Sequence, residues 1–175
     1  NEMGVENITK REEELLEIIW DNLKGIPNLH ILAGEHKERL GIISFYIDGL
    51  HYNVGVKLLN DKFGIQTRGG CSCAGTYGHY LLNVLPEESK LITDLVNHGD
   101  CSTKPGWIRM SVHPTTTNNE AQYLVESIHQ LALNHKTWIK DYDVDHTNNI
   151  ISHKRDTSDE FIKSTIDKSF DKKFY

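Results

Sequence analysis

The sequence predicts an α+β domain: a small, mostly antiparallel sheet of three or four strands with helices packed on one face. Three observations predict it. Leu40 to Ile47 (LGIISFYI) and Trp107 to Val112 (WIRMSV) concentrate β-branched and aromatic residues, as strands do. Leu15, Leu16, Ile19 and Leu23 share one helical face near the start of the chain. Ala121, Leu124, Val125, Ile128, Leu131 and Ala132 form a second, longer apolar stripe at helical spacing.

The elements follow in order. Thr9-Lys10-Arg11-Glu12 reads as a capping box that opens the first helix, and Gly25, Ile26 and Pro27 end it. Leu29 to Ala33 is a short strand, joined by a turn over Gly34 to Arg39 to the strand at 40–47. Asn53 to Phe63 repeats apolar residues at Val54, Leu58 and Leu59, a helix ended by Gly64. Ile65 to Arg68 is a short strand running into Gly69-Gly70, and short helices follow over 73–83 and 87–98. In the strand at 107–112, Trp107, Arg109 and Ser111 face one way and Ile108, Met110 and Val112 the other. Thr117-Asn118-Asn119-Glu120 is a second capping box, at the head of the last long helix. Beyond His135 the chain turns polar. Tyr142 to Asp145 pairs with Ile150 to His153 as a hairpin, and Phe161, Ile162, Ile166 and Phe170 mark a further amphipathic helix or a frayed end. The organisation expected is a domain over 1–135 and a polar extension over 136–175.

Composition limits the function classes. The chain has 175 residues, 38% hydrophobic and 25% charged, with a formal net charge of -6. A length of this order suits one compact domain plus a tail. The acidic balance argues against a nucleic-acid partner, which needs clustered Lys and Arg. No apolar run approaches the roughly 18 residues of a membrane span, and no secretory leader opens the chain. The first residue is Asn1, so a processed or excised chain is expected. Three cysteines, two of them one residue apart, make no disulfide framework; a reducing, cytoplasmic setting is expected.

The informative stretch is Arg68-Gly69-Gly70-Cys71-Ser72-Cys73-Ala74-Gly75. Two glycines between a strand and a helix let the backbone approach a ligand closely. Cys73 falls near the start of the following helix, where free amides and the helix dipole favour a thiolate, with Arg68 close by. The competing reading makes Cys71 and Cys73 small buried hydrophobes. A zinc site from Cys71, Cys73 and Cys101 with His79 or His98 is disfavoured, because paired zinc cysteines are usually spaced by two or more residues. No metal is expected. Arg109 is a lone cation in an apolar strand with no alternating acid, and its fork suits bidentate capture of a carboxylate. A structural ion pair with a distant acid is the alternative. The other histidines show no ligand spacing. Ser152-His153-Lys154, which resembles a cofactor-lysine run, lies in the polar tail and reads as coincidence.

Together these residues resemble the C-terminal small domain of class V aminotransferases, closest to the cysteine desulfurase and selenocysteine lyase branch. Those enzymes carry an Arg-Thr-Gly-His-His-Cys-Ala run after a short strand. Arg68, Gly70, Cys73 and Ala74 match it, while Cys71 and Ser72 replace the paired histidines. The pattern Arg-x-Gly-Cys-x-Cys is also similar to that of molybdenum-cofactor sulfurases. Arg109-Met110-Ser111 resembles the family's Arg-x-Ser strand before its last helix. The resemblance covers roughly residues 3 to 135. It implies a pyridoxal-phosphate enzyme acting on an amino-acid substrate, the cofactor being held by a large domain that nothing in this chain matches. The isolated chain is therefore expected to be inactive. By the same resemblance, Cys73 is the catalytic nucleophile that becomes a persulfide, Arg109 holds the substrate carboxylate, Arg68 assists it, and Cys71 relays sulfur. The full-length protein is implied to be a homodimer that passes sulfur to an acceptor protein. Two alternatives stay open: another class V enzyme, an aminotransferase, lyase or epimerase in which Cys73 carries no sulfur, and a non-catalytic binding module.

Overall fold

The structure, a computed structural model, describes residues 4–71, 75–145, 147–148 and 150–155. Helix α1 (Val5–Leu23) leads into β1 (Leu29–Ile31) and β2 (Ile42–Ile47). Helix α2 (Tyr52–Phe63), strand β3 (Arg68–Gly70) and helices α3 (Gly75–Leu81) and α4 (Pro86–Asn97) follow. The chain then forms β4 (Trp107–Ser111), the long helix α5 (Asn118–Trp138) and a hairpin of β5 (Tyr142–Asp145) and β6 (Ile150–His153). Strands β1 to β4 make one four-stranded antiparallel sheet in the order β1-β2-β4-β3. The expected α+β architecture is the one observed.

Alternation along the strands decides which face the helices cover. Ile43, Phe45 and Ile47 of β2 and Ile108 and Met110 of β4 are buried on one face. There they meet Leu15, Ile19 and Leu23 of α1, Val54 and Leu58 of α2, and Ile128 and Leu131 of α5. Burying such aliphatic side chains supplies about 1.5–3 kcal/mol each before chain entropy is counted, so this layer is the fold's main anchor. The opposite face carries the intervening residues of β2 and β4, and α3 covers Trp107 at its edge. Helix α4 buries none of its residues among those described.

Local chemistry fixes the helix ends. In α5, Thr117 Oγ1 accepts from Glu120 N at 3.2 Å and Glu120 Oε2 accepts from Thr117 N at 2.7 Å, a reciprocal cap. Those bonds also hold the Glu120 carboxyl below its usual range. The start of α1 differs from expectation. The helix opens four residues before Thr9, from Gly4, and Thr9 Oγ1 donates to Val5 O at 3.1 Å as an interior residue. The side chain that resembled a cap bonds back along the helix instead. Strand β3 also differs: it spans Arg68–Gly70 and not 65–68, because its pairing with β4 and not its own side chains sets its position.

Helix α5 runs without interruption through His135, and the hairpin packs back onto the domain. Tyr142 is buried in the core, and its hydroxyl donates to Asp61 Oδ2 at 3.0 Å. Burial opposes ionisation of Asp61, yet bonds from Asn60, Lys57 and Tyr142 hold its carboxyl below the usual carboxylate range. The amphipathic segment expected at 161–170 lies outside the described residues. No helix among the described residues is long and apolar enough to cross a membrane.

Candidate active site

The site grows from the register of the sheet's outer strands. Arg68 of β3 stands directly opposite Arg109 of β4, Gly69 opposite Ile108, and Gly70 opposite Trp107. Directly opposed residues share a face. Arg68 and Arg109 therefore project together from the face opposite the core, with Ser44 of β2 on the other flank of Arg109. Arg68 is exposed and Arg109 half-buried. Among the described residues no hydrogen bond or ion pair engages either guanidinium. The distant acid that would have made Arg109 a structural ion pair is absent from this set. Two like charges opposed in a sheet repel, and no acid among the described residues offsets this pair.

The Gly69-Gly70 turn is dictated by close approach. A Cβ at Gly69 would stand 2.9 Å from Asn53 Oδ1 and from the Tyr52 ring. Gly70 has φ 111°, which side-chain-bearing residues rarely adopt. Tyr52, the first residue of α2, is the post around which this turn is built. Its ring is also approached by Gly106 across the start of β4. Burial pushes the Tyr52 phenol up from its ordinary value, and the nearby thiols of Cys71 and Cys101 add to that shift. Nothing in the sequence singled out Tyr52; its role depends on glycines 17 to 54 positions away in the chain.

Cys71 leaves β3 half-buried, its Cβ seated against the bare Cα of Gly78 in α3. It lines a cavity of about 290 Å³ between α3 and α4, with Thr76, His79, Ser89, Thr93 and Lys104 among the other walls. His79 Nδ1 and Ser89 Oγ are 2.5 Å apart. Cys73, two residues beyond Cys71, lies outside the described residues, as do Ser72 and Ala74. The structure thus sets Arg68 and Arg109 at one end of the three-residue β3–β4 ladder and Cys71 just past the other, after Gly70 opposite Trp107. Among the described residues no group of three or more His, Cys, Asp or Glu is placed to hold a metal ion.

Residues 1–124 match the sequence profile of the aminotransferase class-V family. The chain belongs to that family. Among curated class-V relatives, it is 35% identical over 74 residues to a probable cysteine desulfurase of Synechocystis sp., a match covering 41% of this chain and 17% of that protein. It is 30% identical over 73 residues to a cysteine desulfurase of Haloferax volcanii, covering 42% of this chain and 17% of the relative. The matched stretches are thus about a sixth of each relative's length. The apo structure of a cysteine desulfurase from Thermococcus onnurineus superposes with a TM-score of 0.53 at 18% identity, over 76% of this chain and 28% of that one. That likeness bears on the fold.

Class-V enzymes generally use pyridoxal phosphate, which needs a lysine free to bond it and a carboxylate for its ring nitrogen. The set that comes nearest is Asp141, His153, Lys154 and Arg155, around a small cleft by the hairpin. It does not fit. Lys154 is exposed, and its Nζ donates to Lys140 O at 2.7 Å.

Proposed function

We propose that this chain is the substrate-side domain of a pyridoxal-phosphate cysteine desulfurase or selenocysteine lyase-like enzyme, with Cys73 as the sulfur carrier. The observation that carries the reading is the Arg68–Arg109 pair, unpartnered among the described residues, on the β3–β4 ladder that leads into the Gly-Gly-Cys-x-Cys sequence. The names of the curated relatives support the same reading.

Arg109 holds the carboxylate of the amino-acid substrate through its fork, and Arg68 adds a second charged hydrogen bond. The Cys73 thiolate attacks the substrate sulfur. An S–S bond forms on Cys73 and the substrate Cβ–S bond breaks; its electron pair stays on Cβ, which takes a proton to leave alanine. The cofactor belongs, in this reading, to the large domain of the full-length protein, and no residue of this chain is assigned to it. The same reading makes the full-length protein a homodimer in the cytoplasm that passes sulfur to an acceptor protein.

The test uses the full-length enzyme loaded with cofactor. Arg109→Ala should raise KM for cysteine by the equivalent of about 2–4 kcal/mol, as expected for a charged pair lost from a desolvated site. Ordinary kinetics in that variant would remove the carboxylate role. Full activity in a Cys73→Ser variant would move the protein to a class-V enzyme without sulfur chemistry.

A further inference from the structure

We propose that the groove between α1 and the segment 37–40 is a docking site for a basic, amphipathic segment of a partner protein. The surface is separate from the candidate active site and does not depend on the reading of Cys73. Segment 37–40 leads into β2, whose Ile42 stands opposite Ser111 at the end of β4. Gly70 stands opposite Trp107, at the other end of that strand.

The groove is built by one stripe of α1. Thr9, Glu12, Glu13, Leu16, Glu17 and Trp20 lie three and four residues apart and share a helix face. The stripe runs about 16 Å along the helix axis. Lys37, Glu38, Arg39 and Leu40 form the facing wall, and the two enclose a cavity of about 610 Å³. Leu16 and Trp20 make an apolar floor, and Leu40 is 69% exposed at the rim.

The charges around this floor divide into engaged and open ones. Lys37 Nζ donates to Asp21 Oδ1 at 2.9 Å. Arg39 donates to the backbone carbonyls of Leu32, Ala33 and His36, and its Cζ lies 4.4 Å from the Trp20 ring centroid. Glu12, Glu13, Glu17 and Glu38 have no hydrogen bond or ion pair among the described residues. Both cations of the groove are therefore engaged within the domain, and four carboxylates are open. The floor adds an independent signal. Trp20 is only 2% exposed, and its Nε1–H has no acceptor among the described residues. Buried donors are nearly always paired, so this one calls for an acceptor. A polyamine would answer the carboxylates alone. A peptide brings acceptor oxygens, apolar side chains and cations together, as segments that lie in grooves do.

The chain does not supply such a segment itself. Its formal net charge is -6, and residues 156–175, which carry the Phe161, Ile162, Ile166 and Phe170 pattern, hold five acids against four lysines. The occupant is therefore another protein, with a charge opposite to that of the rim.

The experiment titrates the 175-residue chain, and separately the full-length enzyme, into a fluorescein-labelled peptide and reads anisotropy. The peptide has about twelve residues, enough to span the stripe as a helix. It carries leucines and a glutamine on one face and lysines on both flanks. Saturable binding to both proteins is expected, at least about tenfold weaker at about 0.5 M salt than at about 0.02 M. Glu13→Lys combined with Glu17→Lys, both exposed positions, should weaken it at least about tenfold. Leu40→Ser should weaken it severalfold at either salt concentration. Glu87→Lys combined with Glu126→Lys makes the same charge change at exposed positions elsewhere and should leave binding unaltered. Circular dichroism checks that each variant is folded. No binding overturns the proposal. A scrambled peptide that binds equally well, or a remote charge reversal that weakens binding as much, also overturns it, because either reduces the groove to a diffuse acidic surface. Binding to the 175-residue chain but not to the full-length enzyme overturns it by showing that the enzyme's own polypeptide fills the groove. A dimer of the chain that dissociates in the Glu13→Lys, Glu17→Lys variant overturns it in favour of a second copy.

Discussion

Replacing Arg109 by glutamine should leave the unliganded domain as stable as before or slightly more stable, although Arg109 sits half-buried in a central strand. The reason is its neighbour. Arg68 is its directly opposed partner, and no acid among the described residues offsets the pair. Like charges directly opposed in a sheet are destabilising, by up to about 1 kcal/mol, the size of a cross-strand pair interaction. Glutamine keeps part of the aliphatic stem, so little packing is lost. For a domain of this size the gain corresponds to a rise in Tm of about 1–4 °C. Scanning calorimetry at low salt should show it. The gain should shrink near 1 M salt, where screening acts over about 3 Å. A fall of more than about 2 °C at both salt concentrations would refute the reasoning, because it would mean that Arg109 holds the fold together and is not reserved for a ligand.

Three further outcomes follow from the packing. Gly69→Ala should destabilise the domain by about 1–3 kcal/mol, since its Cβ meets Asn53 and Tyr52 at 2.9 Å; a chemical-denaturation midpoint equal to the parent's would contradict this. Thr117→Ala should cost about 1 kcal/mol through loss of the α5 cap, read as a lower unfolding midpoint with unchanged slope. The Asp61 carboxyl is held below its usual range in the fold, so its stabilising contribution is present above the unfolded value near 3.9 and is lost as pH falls through the folded value. Tyr142→Phe should cost about 1–2 kcal/mol at neutral pH and soften that acid loss, measured as Tm between pH 3 and 6; an unchanged profile would remove Asp61 from the anchoring of the hairpin.

Much of the fold was legible because its signals are short-range. The Thr117–Glu120 box, the Gly64 stop after α2 and the 142–153 hairpin each rest on residues within a few positions of one another, and all three stand as expected. What was not legible depends on distant partners. Gly69 and Gly70 carry no strand signal of their own, and β3 exists because β4 pairs with it. Thr9 had the right spacing for a cap, but spacing alone does not tell a cap from a threonine bonded back within a helix that begins earlier. For the site, the cysteines and arginines were visible as residue types. The opposition of Arg68 and Arg109, the Tyr52 post and the His79–Ser89 bond needed the three-dimensional register, since each joins residues 10 to 54 positions apart.

The central claim is that sulfur from an amino acid arrives on Cys73. The direct measurement is mass spectrometry of the full-length, cofactor-loaded protein after a brief exposure to cysteine, with rapid alkylation to trap persulfides. The account predicts that the peptide containing Cys73 gains the mass of one sulfur atom as alanine appears, and that Cys73→Ser abolishes both. Alanine formed at the normal rate by the Cys73→Ser protein, with no sulfur on the Cys73 peptide of the parent, would contradict it.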